Sequence, residues 1–408
     1  MSNHQVAVLM ADLALIVVLA RLFGRVAERC GQPAVVGEIT VGILAGPTVL
    51  DGAVSDVIFP AEVRPYLQVF AAIGVVVFMF GAGLELDRGL LNNGRRLVLT
   101  VSLFAYSLPF LLGCALAVVL LARHETVSEI GFVLFLGAAI SVTAFPVLAR
   151  ILHDNGMLKG KLGQLGLACS AIDDLVAWCV LAIVIGIVQA RIDDQWRLLL
   201  LVPLIAGLRF LVRPLLMRLP TDRAGGSLLA AVAGSLACGA MTEWIGLHYI
   251  FGAFLFGVAF PRTRPVDMNG VRAVSVLFLP AFFVVSGMRV DLDAIGGWGL
   301  AELAAIIAVA VAGKLLGTYL GARMMRMTKR DSSALAALMN ARGLTEIVIL
   351  TVGLELQVID QPLYSLMVVM ALVTTSMTAP LLKLTGVTSR AQHAAAEPVH
   401  SEPIKEPT

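Results

Sequence analysis

The chain has 408 residues, 59% hydrophobic and only 14% charged, where soluble domains average roughly 45–50% and about 25%. That composition excludes a soluble domain, and a net charge of +2 gives no overall bias toward nucleic acid or another polyanion. Cys30, Cys114, Cys169, Cys179 and Cys238 are odd in number and lack metal-ligand spacing, so they are read as small packing residues.

The first six residues carry no basic n-region, so the first apolar run is expected to be a retained span. At about twenty apolar residues per span, thirteen segments follow: 6–23, 34–50, 67–85, 97–122, 128–152, 162–189, 197–217, 226–244, 248–261, 272–287, 298–322, 333–355 and 362–383. With the N-terminus outside, twenty-one of the thirty basic residues fall on the inner side, five outside (Arg64, Arg123, Arg191, Arg197, Arg289) and four within spans (Arg209, Arg213, Lys314, Arg342). A missed span would invert every later loop, so the bias supports both the count and the orientation. Trp196, Trp244 and Trp298 fall at the outer interface, where amphipathic rings are favoured.

Segment 2 carries Gly37, Gly42 and Pro47, and segment 9 carries Gly252, Gly257 and Pro261 at matching spacing. Segments 3 and 10 end alike, at Gly83 to Asp87 and Gly287 to Asp291. The matched segments run in opposite directions, so the expectation is an inverted repeat over about 6–190 and 226–383, with 197–217 as a linker helix. One all-helical membrane domain is expected over 1–385, and 386–408, polar and proline-bearing, as a disordered cytoplasmic tail. No glycine-rich strand-to-helix unit suggests a bound nucleotide or other cofactor.

Segment 6 places Asp173 and Asp174 near mid-span, and segment 11 places Lys314 at comparable depth. Each unsupported charge at the bilayer centre costs about 2.5–3.5 kcal/mol, so three would cost roughly 8–10 kcal/mol by simple addition. They must be paired, hydrated or neutralised. Adjacent helical residues point about 100° apart, so both carboxylates cannot meet one partner. One can pair with Lys314; the other is left to a water-accessible cavity, where proton and small cation compete for a single negative charge. That competition is the minimum chemistry of a cation/proton exchanger. Gly313, Gly317 and Gly321 form a small-residue stripe that could bring segment 11 against segment 6.

In segment 5, Ser141 and Thr143 precede Pro146, which cannot donate to residue 142 and frees that carbonyl. Segment 12 holds Asn340, Arg342, Gly343 and Glu346, with Gly343 permitting an unwound backbone. Broken helices at equivalent places in two halves point to an ion site, because freed carbonyls coordinate cations and half-helix ends carry partial charge. Arg342 and Glu346, four residues apart, are expected to neutralise each other and the broken ends. Glu38 is a secondary candidate, a helix contact or vestibule acid; Glu243 is assigned to the interface, and His153 and His248 to solvated loops.

The strings Gln32 to Pro47, Ser141 to Arg150, Ile172-Asp173-Asp174, Gly313-Lys314 and Met339 to Glu346 together resemble the monovalent cation:proton antiporter-2 family. The wording is nearest its branch of plant-type cation/proton exchangers and bacterial sodium/proton antiporters, and the resemblance covers about residues 8 to 385. It implies a sodium/proton-antiporter fold with two crossing discontinuous helices. A six-helix core would move against a dimerisation domain, making the protein a homodimer in the cell membrane with its C-terminus cytoplasmic. It implies Asp174 as the carrier of ion and proton, Asp173 as salt-bridge partner of Lys314, Thr143 as a neighbour at the crossover, and electrogenic exchange of cytoplasmic sodium, potassium or lithium for external protons. Unlike potassium-efflux members, this sequence carries no nucleotide-binding C-terminal domain.

An intramembrane aspartyl protease needs two facing aspartates, which adjacent residues on one helix cannot supply. A channel needs a filter ring, for which no motif is present. The alternative that stands is a sodium-coupled organic solute carrier on the same inverted-repeat fold.

Overall fold

The computed structural model of the chain describes residues 2–48, 58–85, 95–155, 157, 160–188, 200–218, 224–245, 249–261, 267–293 and 297–386. The expected tail from 387 onward lies outside these residues, as do Arg88, Lys159, Arg191, Arg197, Arg223, Arg262 and Arg264 of the loops used for the sidedness count. Among the described residues there is no strand.

Helix α1 (Asn3–Arg29) starts on a reciprocal capping box between Ser2 and Gln5. It is followed by α2 (Ala34–Ala45), α3 (Arg64–Glu85) and α4 (Arg95–Leu120). The fifth predicted segment is two helices, α5 (Glu129–Ser141) and α6 (Phe145–Asp154), and α7 (Lys161–Val188) follows. The predicted linker is α8 (Leu201–Gly207), a π turn at Leu208–Val212 and α9 (Arg213–Arg218). Next come α10 (Ala224–Ile245), α11 (Tyr249–Ala259), α12 (Met268–Met288) and α13 (Gly299–Met324). The twelfth predicted segment is also two helices, α14 (Lys329–Met339) and α15 (Leu344–Glu355), and α16 (Gln361–Leu384) closes the described chain. Ser128, Asp267, Thr328 and Asp360 cap α5, α12, α14 and α16 through their side-chain oxygens. Eight helices (α1, α3, α4, α7, α10, α12, α13 and α16) are long and apolar enough to cross a membrane by length and composition.

The well-packed helix pairs fall into two sets. Helices α1, α2, α3, α10, α11 and α12 pack on one another, and α4 to α7 pack with α13 to α16. Within the first set α2 crosses α12 where Gly42 meets Gly287, and α3 crosses α11 where Gly83 meets Gly257. A Cβ on Gly42 would stand 2.7 Å from the Gly287 Cα, so glycine alone allows this approach. The glycines matched between the sequence halves thus exchange partners between the two crossings.

Several hydrogen bonds between the sets lie at and just beyond the C-terminal end of α12. The Tyr364 hydroxyl donates to the Ser286 carbonyl at 2.8 Å, Asp291 N–H donates to the Ser365 hydroxyl at 2.9 Å, and Arg289 pairs with Glu355 at 3.0 Å. At the corresponding end of the second set, the loop after α4 is clasped by His124. Its Nδ1 lies 2.9 Å from Asp360 and its Nε2 3.5 Å from Glu302, while Arg123 pairs with Glu302 at 3.1 Å and covers the Trp298 ring. Burial opposes charge on His124, but the hydrogen bond and charge of Asp360, with those of Glu302, outweigh it and raise its pKa. Burial likewise opposes charge on Asp360, and the His124 hydrogen bond with two backbone N–H donors overcomes it, so its pKa is lowered.

Candidate functional site

At each broken helix a few residues leave the helical path. Val142 is extended (φ −65°, ψ 141°), and Gly343 takes φ 156°, ψ −120°, where a Cβ would meet Val147 Cγ2 at 2.6 Å. Pro146 sits second in α6, where its missing N–H costs no helical bond. The two breaks cross and are tied directly: Ala144 N–H donates to the Ala341 carbonyl at 3.0 Å.

Each half-helix that ends at the crossing has its last carbonyls taken by the protein. For α5, Arg342 donates to the Ala139 carbonyl at 3.1 Å and also to that of Ile140, while Lys314 donates to that of Ser141 at 2.5 Å. Two cations therefore meet the negative end of the α5 dipole. For α14, the Met339 carbonyl lies 2.9 Å from the Thr143 hydroxyl. Asn340 Nδ2 donates to the Thr374 carbonyl at 3.0 Å, and the Thr375 hydroxyl accepts from Arg342 N–H and donates to the Arg342 carbonyl. The carbonyls of residues 139 to 141 are thus taken by protein donors, whereas the carbonyl expected to be freed by Pro146, that of residue 142, is not among them. The Ser141 hydroxyl turns back to Gly137 within its own helix.

Lys314 is fully buried and uses its three donors on Ser141, Asp173 Oδ2 at 2.7 Å and the Ala105 carbonyl at 3.2 Å. Spacing alone left the partner of Lys314 open between two carboxylates and the resemblance implied Asp173; in the structure Lys314 pairs with Asp173. The glycine stripe of α13 packs on α4, with Gly313 against Pro109 and Gly317 against Phe104, rather than on α7. Lys314, one residue from the stripe and so about 100° around the helix, is turned aside from that contact and meets Asp173. Asp173 Oδ2 also faces the Thr143 hydroxyl at 3.0 Å; with one proton, that hydroxyl donates either here or to Met339.

Asp174 points elsewhere. Its Oδ2 accepts from Phe145 N–H, the first of α6, at 3.3 Å, so the positive end of a half-helix faces the carboxylate. Its Oδ1 accepts no hydrogen bond among the described residues. The side chain lines a small, partly open cavity with Phe145 and Thr345 on its own side and Phe78, Met79 and Phe254 opposite. These two sides belong to the two packing sets. Arg342 and Glu346 form a fully buried pair at 3.1 Å, and Glu38 lies half-buried on α2 in the first set. Sequence reasoning did not single out Phe145 N–H, the Ala105 and Met339 carbonyls, Thr345 or Thr375. Backbone groups leave no mark in residue identity, and only the nearness of Thr345 to Gly343 was a usable signal.

The family described as sodium/hydrogen exchanger, transmembrane, matches residues 14–384. The Na(+)/H(+) antiporter NhaS4 of Synechocystis sp. is 37% identical over 403 residues, covering 94% of this chain and 98% of that protein. Cation/H(+) antiporter 18 of Arabidopsis thaliana is 33% identical over 91% of this chain but 48% of its own length, so the chain spans about half of that plant relative. The sodium proton antiporter MjNhaP1 of Methanocaldococcus jannaschii superposes with a TM-score of 0.61 over 96% of this chain and all of that one, at 16% identity, and shows the shared fold.

Proposed function

The chain belongs to the sodium/hydrogen exchanger transmembrane family, and from that premise we propose that it is a proton-coupled monovalent cation antiporter working through Asp174. One observation carries the choice of residue. Asp173, Lys314, Arg342 and Glu346 are each in an ion pair inside the protein, whereas Asp174 faces a cavity and, among the described residues, has the Phe145 N–H and the Thr345 hydroxyl as its hydrogen-bond partners and no ion pair.

Bound cation or bound proton each neutralises Asp174, so either loaded form crosses the apolar interface more cheaply than the bare carboxylate. Exchange follows if the set bearing Asp174 moves against the other and opens the site to each side in turn. The grouping of the closest helix pairs into two sets supports such motion. The adjacent Asp173–Asp174 pair, one member ion-paired with Lys314 and the other facing the cavity, supports electrogenic exchange by its resemblance to the family's two-aspartate members. Sodium and potassium are both proposed as substrates, because carboxylate and carbonyl oxygens serve either. The sidedness of the basic residues supports a cell-membrane protein with its N-terminus outside, and the set containing α1 is proposed as the dimerising scaffold.

The test is acridine-dye dequenching in everted vesicles on adding sodium, potassium or lithium, with membrane potential followed in parallel. Cation-evoked proton efflux is expected in the wild type and absent in Asp174→Asn, whose amide neither ionises nor carries a proton. Full exchange in the folded variant refutes the single-carboxylate mechanism.

A further inference from the structure

The cavity beside Asp174 is poor in oxygen. Among the described residues that line it, only Asp174 and Thr345 have side chains that carry one; the others are alanine, phenylalanine, methionine and tryptophan. A tryptophan N–H donates and cannot ligate a cation. Thr143, the hydroxyl that the resemblance implied beside the ion, is not among the lining residues, and its oxygen faces Asp173 and the Met339 carbonyl. Thr345 is the second residue of α15, two positions after Gly343, and is 4% exposed. Its hydroxyl hydrogen-bonds the Asp174 carboxylate. The second break therefore brings the first turn of α15 to the same carboxylate that Phe145 N–H meets from α6.

We propose that the Thr345 hydroxyl is a direct ligand of the transported cation, turning between donor to the empty carboxylate and lone-pair partner of the load. This rests on the antiport reading above. A hydroxyl carries one proton and two lone pairs. With the site empty and Asp174 ionised, the O–H points at the carboxylate. A cation arriving at Asp174 replaces the water it sheds with oxygens of the wall, and beyond the carboxylate itself the Thr345 oxygen is the one that the lining side chains supply. The need for it is sharpened by the two half-helices that begin here, whose positive ends oppose a cation. When a proton is the load instead, the carboxyl O–H donates to the same Thr345 oxygen. One side chain thus satisfies the empty, cation-bound and proton-bound states through rotation about its own C–O bond. Phe145 N–H cannot do this, because a backbone donor serves only the carboxylate.

The test uses the full chain in proteoliposomes, with cation-evoked proton movement recorded over a range of sodium and potassium concentrations. Thr345→Val keeps the shape and removes the oxygen, Thr345→Ala removes it in a smaller side chain, and Thr345→Ser keeps it. Loss of a ligand to the bound ion raises KM and leaves the maximal rate. The expected result is a KM for the exchanged cation at least fivefold higher in the valine and alanine variants, with maximal rate within twofold of wild type, and a KM within twofold of wild type in Thr345→Ser. A binding measurement in detergent runs beside it. The cation concentration that gives half of its rise in unfolding midpoint should also move at least fivefold in Thr345→Val. Unchanged KM in folded valine and alanine variants overturns the ligand role, as does an equal rise in Thr345→Ser or a fall in maximal rate at wild-type KM. A wild type that moves no protons on adding sodium or potassium, or full exchange in Asp174→Asn, removes the antiport reading itself. An exchanging wild type that Asp174→Asn silences, beside an unaltered Thr345→Val, removes only the role of Thr345.

Discussion

Arg342, in the break of one helix, donates to the carbonyl of Ala139 near the end of the other, 3.1 Å away. The same guanidinium reaches Ile140 and Glu346, so one buried side chain holds the crossing from both sides. Arg342→Gln strands two helix-end carbonyls and a buried carboxylate, and is expected to cost about 3–5 kcal/mol, the scale for breaking a buried ion pair. Glu346→Gln leaves the carbonyl bonds in place and should cost less than half as much. Thermal unfolding in detergent ranks the two, and equal midpoints for Arg342→Gln and wild type would contradict the bracing role.

Lys314→Ala leaves Asp173 buried with the Thr143 hydroxyl as its remaining partner. A loss of about 3–5 kcal/mol is expected, with a similar loss in Asp173→Asn, which strands the ammonium. Combining Lys314→Ala with Asp173→Asn removes both charges and should be clearly less damaging than the sum of the single changes. Strict additivity in a double-mutant cycle would show that the two groups do not act as a pair.

Gly343→Ala places a methyl 2.6 Å from Val147 Cγ2 on a backbone that other residues rarely adopt. A loss of roughly 1–3 kcal/mol is expected from strain and overpacking together. Adding Val147→Ala removes the clash and leaves the backbone strain, so it should return part of the stability. No recovery would assign the whole effect to backbone conformation.

The His124 clasp has a defined pH window. His124 is raised above its ordinary 6.5, so its stabilisation is complete below 6.5 and is lost as pH rises through the higher folded value. Asp360 is lowered below its ordinary 3.8, so its share is complete above 3.8 and is lost as pH falls through the lower folded value. The clasp is therefore strongest between 3.8 and 6.5. His124→Gln should lose roughly 1–3 kcal/mol in that window and less at alkaline pH. Unfolding midpoints measured across pH 5 to about 9 would show the wild-type and variant curves converging; parallel curves would remove His124 from the account.

Apolar run lengths made the all-helical layout legible: described helices lie within each of the predicted apolar segments, and among the described residues eight of them have the length and composition of a span. The breaks fall just before Pro146 and at Gly343, residues whose local chemistry is visible in sequence. Charges stand out equally well, because Asp173, Asp174 and Lys314 interrupt apolar runs. Pairing was harder to read. Neighbouring positions on a helix fix an angle but not which helix lies across, so neither the Lys314 partner nor the α4 surface under the glycine stripe followed from spacing.

Phe145 N–H, Thr345 and Asp174 all belong to the same packing set, so whatever greets the ion travels with it. The wall across the cavity, Phe78, Met79 and Phe254, offers only apolar surface. On the proposed motion, ion preference would be set within the helices that carry Asp174 and would owe nothing to the side on which they stop. Cations should rank in the same order whether presented to right-side-out or to everted vesicles, even where the two faces differ in rate.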